Sequence, residues 1–369
     1  MARIQCGEDR YPATLLAVAG HGLTSTRSFP TAPLDSVEWT ALLDAASDHR
    51  LLGLLRSAVD AGRLPVTDDQ RKEVRAAHRA VLLRVLSLEQ NLVSVTSLLA
   101  DAGVESRVLK GSAYAYLDYP DPALRSFIDL DLLFRPEDIP RTVEVLVAAG
   151  FTRILAEPRP GFDTRFDKGT TLRCADFEID LHRTFVLGPW GMRIRLDALW
   201  SSSETFTVGG RELTALSAPH RFLHACYHAA LGDWPLRLGS LRDVAELHPA
   251  DEPALIALAV EWGVQAVVAA AVADSTRLLG LPPTGTLRSW AAAYVPTRRE
   301  ETWLALHMRE NKTFAAQAIA TLPVLSLRDK AAYLRALMLP DSRYTEGRHT
   351  SALSRLTFGF REALRGRRN

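Results

Sequence analysis

The chain has 369 residues, with 44 Lys and Arg against 43 Asp and Glu, a formal charge of +1, and 47% hydrophobic and 24% charged residues. These proportions describe a folded globular protein and exclude collagen-like, disordered and disulfide-scaffold classes, while the length predicts two or three domains. The balanced charge gives no general attraction to nucleic acid or to an anionic membrane, so nucleic acid is disfavoured as a partner.

The first 30 or so residues read as irregular, with Gly, Pro, Ser and Thr scattered through Gly20–Pro33. Asp35-Ser36 is an N-cap signal ahead of Val37, Leu42, Leu43 and Ala46 at helical spacing. Leu51 to Ala61 repeats the pattern and stops at Gly62, and a long helix follows from about Thr67 to Ala102, closed by Gly103. The rhythm then changes. Val104 to Leu109 reads as a strand, Gly111 to Leu117 as a short helix, Phe127 to Phe134 as an alternating strand and Glu137 to Ala149 as a helix. Phe151 to Leu155, Leu172 to Cys174 and Phe177 to Phe185 are further strand candidates. From Ser217 onward helical patterns dominate: Leu241–Leu247, Glu252–Trp262, Ala266–Leu279, Thr302–Leu322 and Asp329–Met338. The expected class is α+β, with a helical region over 1–102, a small mixed-sheet domain over 103–215 and a helical domain over 216–369.

The cysteines Cys6, Cys174 and Cys226 are far apart and odd in number, which argues against a disulfide framework or a cysteine-rich zinc module. The longest apolar run, Ala266 to Ala273, is far shorter than the roughly 18–20 residues of a membrane span. With no leader-like start, the expectation is a cytoplasmic protein with no membrane contact.

Chemistry concentrates in two stretches. In Ile128-Asp129-Leu130-Asp131-Leu132 the strand alternation sends Ile128, Leu130 and Leu132 to one face and Asp129 and Asp131 to the other, with α-carbons roughly 6.6 Å apart. Two such carboxylates repel unless a cation or basic group lies between them, and they suit divalent ions. Just before them, Lys110-Gly111-Ser112 joins a strand to a helix. Gly111 permits close backbone approach, Ser112 offers a hydroxyl and Lys110 a charge, together a cradle for phosphate. A third acid is expected from Glu178-Ile179-Asp180-Leu181-His182, where alternation puts Glu178, Asp180 and His182 on one face; Asp180 is the first choice and Glu178 the alternate. Arg125 is expected either to neutralise triphosphate charge or to lock the Asp-x-Asp carboxylates by bidentate pairing. Such a set suits nucleotidyl transfer with two Mg²⁺ ions.

Gly-Ser followed eighteen positions later by Asp-x-Asp, then an acid on a later strand, resembles the DNA polymerase β-type nucleotidyltransferase superfamily. More narrowly, Leu109-Lys110-Gly111, Arg125 with Asp129-Leu130-Asp131-Leu132-Leu133, Asp180-Leu181-His182, His228-Ala229-Ala230 and Leu241-Arg242-Asp243-Val244-Ala245 are similar to its uncharacterised nucleotidyltransferase group, over about residues 70–250. The resemblance implies a small mixed sheet carrying a carboxylate triad, and transfer of an NMP from an NTP to an acceptor with release of pyrophosphate. It implies that Gly111 and Ser112 hold the β/γ-phosphates, that Asp129 and Asp131 bridge two Mg²⁺, and that Asp180 holds the catalytic one. The acceptor is expected to be a hydroxyl or phosphate of a small molecule, peptide or protein. The spacing from Gly-Ser to the first Asp is longer than is usual there, and the loop Asp118-Tyr119-Pro120-Asp121-Pro122 accounts for the excess.

Other features admit plainer readings. His220, His224 and His228 recur every four residues on one helix face; a partly buried ladder, hydrogen-bonded to Asp243 or facing the cleft, is favoured over a zinc site, because no Glu completes a zincin motif. His182 reads as a strand-end hydrogen-bonding residue rather than a general base. The seven tryptophans read as core anchors, while Tyr114, Tyr116 and Tyr119 are each candidates for stacking on a base. Arg355, Arg361, Arg365, Arg367 and Arg368 read as a solvated basic helix end. The alternative to an enzyme is an inactive nucleotide-sensing or protein-binding module on the same fold.

Overall fold

The computed structural model describes residues 7–175, 177–307 and 314–345. The basic tail from Arg355 to Arg368 and Cys6 lie outside them.

Four helices open the chain: α1 (Ala13–Gly20), α2 (Ser36–Asp48), α3 (Leu52–Asp60) and α4 (Asp68–Asp101). Asp35 and Thr67 each form a capping box, with Glu38 and Gln70 respectively, which satisfies the first free N–H groups of α2 and α4. Helix α1 corrects the irregular reading of the first 30 residues. Its short stretch from Leu15 to Gly20 is buried along its length, so it shows no amphipathic period to read.

The central part contributes β1 (Arg107–Leu109), α5 (Gly111–Leu117), β2 (Leu130–Leu133), α6 (Ile139–Ala148), β3 (Thr152–Arg153), α7 (Phe162–Arg165), β4 (Gly169–Cys174), β5 (Phe177–His182), α8 (Ala198–Ser201), β6 (Ser203–Val208) and β7 (Arg211–Leu216). They build one seven-stranded mixed sheet in the order β3-β4-β5-β2-β1-β7-β6. The pairs β2–β5 and β1–β7 are parallel and the others antiparallel. The β6–β7 hairpin was not foreseen. Its turn, Gly209-Gly210, has positive φ at both positions (57° and 79°), the geometry a two-residue hairpin requires.

The C-terminal part is helical: α9 (Ala218–Leu231), α10 (Leu238–Glu246), α11 (Glu252–Trp262), α12 (Gln265–Leu278), α13 (Thr286–Ala293), α14 (Arg298–Ala305), α15 (Phe314–Thr321) and α16 (Leu327–Met338). One apolar core runs without a break from Tyr11 through the sheet to Leu304 and holds Trp39, Trp190, Trp262 and Trp303. Side chains from all three parts contribute to this core, and α1 of the N-terminal part packs directly on α10 of the C-terminal part. Among the described residues no helix is long and apolar enough to cross a membrane.

Candidate active site

The centre of the sheet brings two carboxylates together through strand register. Strands β2 and β5 run parallel with Asp131 opposite Asp180, and β1 places Leu109 opposite Asp131, so Lys110 emerges directly beside the pair. Asp131, Asp180 and His182 form a cluster whose ligand atoms all lie within 4.8 Å of one another. Asp131 and His182 are each 2% exposed at the side chain, whereas Asp180 is 26% exposed and forms the open side.

The polar contacts are specific. Lys110 Nζ lies 3.0 Å from Asp131 Oδ2, and His182 Nε2 lies 2.6 Å from Asp131 Oδ1. His182 Nδ1 faces the Thr184 carbonyl at 3.3 Å, and Nε2 is 3.9 Å from Asp180 Oδ2. Thr171 Oγ1 donates to Asp180 Oδ1 at 2.5 Å, and Lys168 Nζ reaches Asp180 Oδ2 at 3.4 Å. Burial alone pushes the Asp131 carboxyl up, but the Lys110 ammonium and the His182 ring outweigh it and hold it well below the usual carboxylate range. Burial likewise pulls Lys110 down, and Asp131 with Asp129 raises it further than burial lowers it. The result is a buried, charged acid–base pair at the base of the site.

The donor set of the cluster fits a hard divalent cation: two carboxylates converge, and an imidazole is oriented through its other nitrogen by a backbone carbonyl. Asp131, Asp180 and His182 are the residues that would hold such an ion.

Not every expected residue reaches this point. Asp129 precedes β2 rather than lying within it, is half-buried, and does not join the cluster. The alternation fails because Phe127 takes the buried place, 2% exposed, and leaves Ile128 59% exposed. Asp129 still lies in the field of Lys110 and of Arg50. Gly111 has φ +38° and follows Lys110 at φ +45°, so the turn after β1 is left-handed at two successive residues. Ser112 is 1% exposed and its hydroxyl lies beside Glu89 of α4, not at the carboxylates. Glu178 is exposed and pairs with Arg173 on the strand's outer stretch.

Arg125 does not lock the Asp-x-Asp carboxylates as expected. Its Nε and Nη2 grip Asp243 of α10 at 2.8 and 2.9 Å, and its Nη1 donates to the Gly111 carbonyl at 3.0 Å. Tyr119 Oη donates to the same Asp243 at 2.8 Å, so Asp243 is not the partner of the histidine ladder. His220 stacks on Trp262 and meets Ser217, and His224 Nδ1 meets Tyr114 Oη at 2.9 Å. Burial, reinforced by Lys110, pushes His224 and His228 well below the ordinary histidine range. Among the described residues the three do not form a metal-capable group. Tyr114 and Tyr119 are buried and engaged, which removes them as base-stacking candidates, while Tyr116 is partly exposed and donates to Glu89.

Sequence reasoning missed Lys168, Thr171 and Gly169. Their signal is positional: β4 runs antiparallel to β5 with Thr171 opposite Asp180 and Gly169 opposite His182, a pairing visible only once the hairpin register is known.

Comparison with known proteins adds three findings. A family described as "Uncharacterised nucleotidyltransferase" matches residues 35–280. No curated protein matches the chain significantly. Among solved structures, an antigenic nucleotidyltransferase-like protein from Paracoccidioides brasiliensis is similar at 13% identity and a TM-score of 0.29, over 44% of this chain and 75% of that one.

Proposed function

The chain belongs to the uncharacterised nucleotidyltransferase family, and from that membership we propose a Mg²⁺-dependent enzyme that moves an NMP from an NTP to a hydroxyl or phosphate of a small molecule, peptide or protein. The observation that carries this reading is the register that sets Asp131 opposite Asp180 on two parallel strands, with Lys110 3.0 Å from Asp131. Carboxylates held this way suit divalent ions, which when bound neutralise phosphate charge and favour in-line displacement.

The chain's own groups then have separate tasks. Lys110 and the left-handed Gly111 turn face the phosphates, with Arg125 fixing that turn through the Gly111 carbonyl. Asp180 lies on the open side and accepts from Thr171 and Lys168, and in this reading it would take a proton from an acceptor hydroxyl. Asp129 at the rim is the remaining oxygen donor for a second ion. Ser112 plays no phosphate-binding part in this arrangement.

One observation supports a second reading, a nucleotide-binding module without turnover: both Asp131 oxygens are already engaged, by Lys110 and by His182. Titration calorimetry with each NTP, with and without Mg²⁺, combined with a pyrophosphate assay, separates the two. Metal-dependent binding with pyrophosphate release supports the enzyme, and binding without release supports the module. No binding of any NTP contradicts both.

A further inference from the structure

The described residues that hold a left-handed backbone without being glycine are Arg50 (φ +60°), Lys110 (φ +45°) and Ala175 (φ +47°). Two of the three carry cations, and both cations lie in the field of Asp129. A bulky L-residue adopts this conformation only where its surroundings impose it, and such strain concentrates at ligand clamps. For Arg50 the imposing contacts are visible. The Leu238 N–H donates to His49 Nδ1 and the Gly239 N–H to the His49 carbonyl, both at 3.2 Å. Ser126 Oγ donates to the Arg50 carbonyl at 3.3 Å. The turn between α2 and α3 is thus fastened by α10 on one side and by the segment leading to Asp129 on the other.

The side chain is treated differently from the backbone. The half-buried Arg50 guanidinium makes no hydrogen bond or ion pair with the described residues. The charged groups that act on it are Arg237, Asp129, Arg125 and Asp233, in that order, two cations and two carboxylates. Of the cations around it, Arg237 pairs with Asp233, Arg125 with Asp243 and Lys110 with Asp131, which leaves the Arg50 guanidinium as the one of the four whose N–H donors meet no partner among the described residues. A planar guanidinium suits phosphate oxygens in a two-point grip.

We propose that Arg50 is a polyphosphate-binding residue of this site, supplied by the N-terminal helical region and acting beside Lys110 on the anionic oxygens of the NTP. The proposal rests on the reading of the site as a nucleotidyl-transfer centre. It assigns the N-terminal helices a part in substrate binding, so that the site is completed by a segment outside the sheet.

The test is calorimetric titration of the full chain with Mg²⁺ and three probes: the NTP that wild type binds most tightly, its monophosphate, and inorganic tripolyphosphate. Melting temperature is recorded alongside. Arg50→Asn removes the guanidinium while keeping a residue that accepts a left-handed backbone more readily. The expected result is at least a tenfold loss of affinity for the NTP and for tripolyphosphate, less than a twofold change for the monophosphate, and an unchanged or higher melting temperature. Arg50→Lys should recover part of the loss. Unchanged NTP affinity in Arg50→Asn overturns the proposal, as does a lower melting temperature with equal losses for all three probes, the mark of a structural residue. If wild type binds no NTP at all, the reading of the site fails first, and the variants are not needed to show it.

Discussion

Arg125 clasps Asp243 through two parallel N–H···O contacts, 2.8 and 2.9 Å long, and with its third arm holds the carbonyl of Gly111. The pair is nearly enclosed, at 8% and 6% side-chain exposure, and joins the turn after β1 to the C-terminal helix α10. Asp243→Ala strands a buried guanidinium, and breaking one half of such a pair costs about 3–5 kcal/mol. Urea denaturation of the variant should show a loss of that order, and transfer should fall with it because the Gly111 turn loses its anchor. A loss below about 1 kcal/mol would mean that the pair is not what holds α10 to the sheet.

Gly169 lies opposite His182 in the β4–β5 ladder, and a Cβ there would come within 1.9 Å of the Leu181 carbonyl oxygen. The obstruction is backbone, so it has no flexible side chain to swing aside. Gly169→Ala should destabilise by about 1–3 kcal/mol through forced separation of the strands. Because Lys168 and His182 sit at this point, activity should fall further than the melting temperature alone accounts for. Equal kinetics in the variant would show that the site tolerates a shifted β4.

Burial, opposed by Arg153 and reinforced by Asp167 and Glu157, pushes the Asp163 carboxyl of α7 up to about 7. Its folded-state pKa thus lies above the unfolded value of about 3.9, so the folded chain keeps a proton that the unfolded chain has lost. The contribution is fully favourable below about pH 4 and is lost as the pH rises to about 7, at up to about 1.4 kcal/mol per unit. Denaturation midpoints for wild type and Asp163→Asn at pH 4, 5.5 and 7 should diverge with rising pH in favour of the variant. Parallel pH profiles would contradict the assignment.

How much of this was readable beforehand depends on the range of the interaction. Helices α2, α4 and α11 were legible because their caps and periods are local: Asp35, Thr67 and the Glu252–Trp262 stretch each declare themselves within a few residues. The strands carrying Asp131 and Asp180 were legible as apolar runs with interleaved acids, and the structure brings the two carboxylates into one cluster. The partner of Arg125 was not, because Asp243 lies 118 residues further on and the nearer acids Asp129 and Asp131 satisfied the same spacing argument. Asp129 was misplaced for a related reason: alternation assumes that the strand begins early, whereas a bend falls at Asp129 and the strand begins only at Leu130. His182 was recognised as a hydrogen-bonding residue, and its nearness to both carboxylates follows only from the parallel pairing of β2 with β5.

The most direct measurement is a transfer assay with each α-labelled NTP, Mg²⁺ and a cell lysate, comparing wild type with Asp131→Asn and Asp180→Asn variants shown by circular dichroism to be folded. Wild type should release pyrophosphate and leave the label on an acceptor, while each variant loses transfer by at least a hundredfold. Undiminished transfer by either variant, or a labelled acceptor that forms equally well when Mg²⁺ is chelated, would contradict the assignment of the metal-holding centre to these two facing carboxylates.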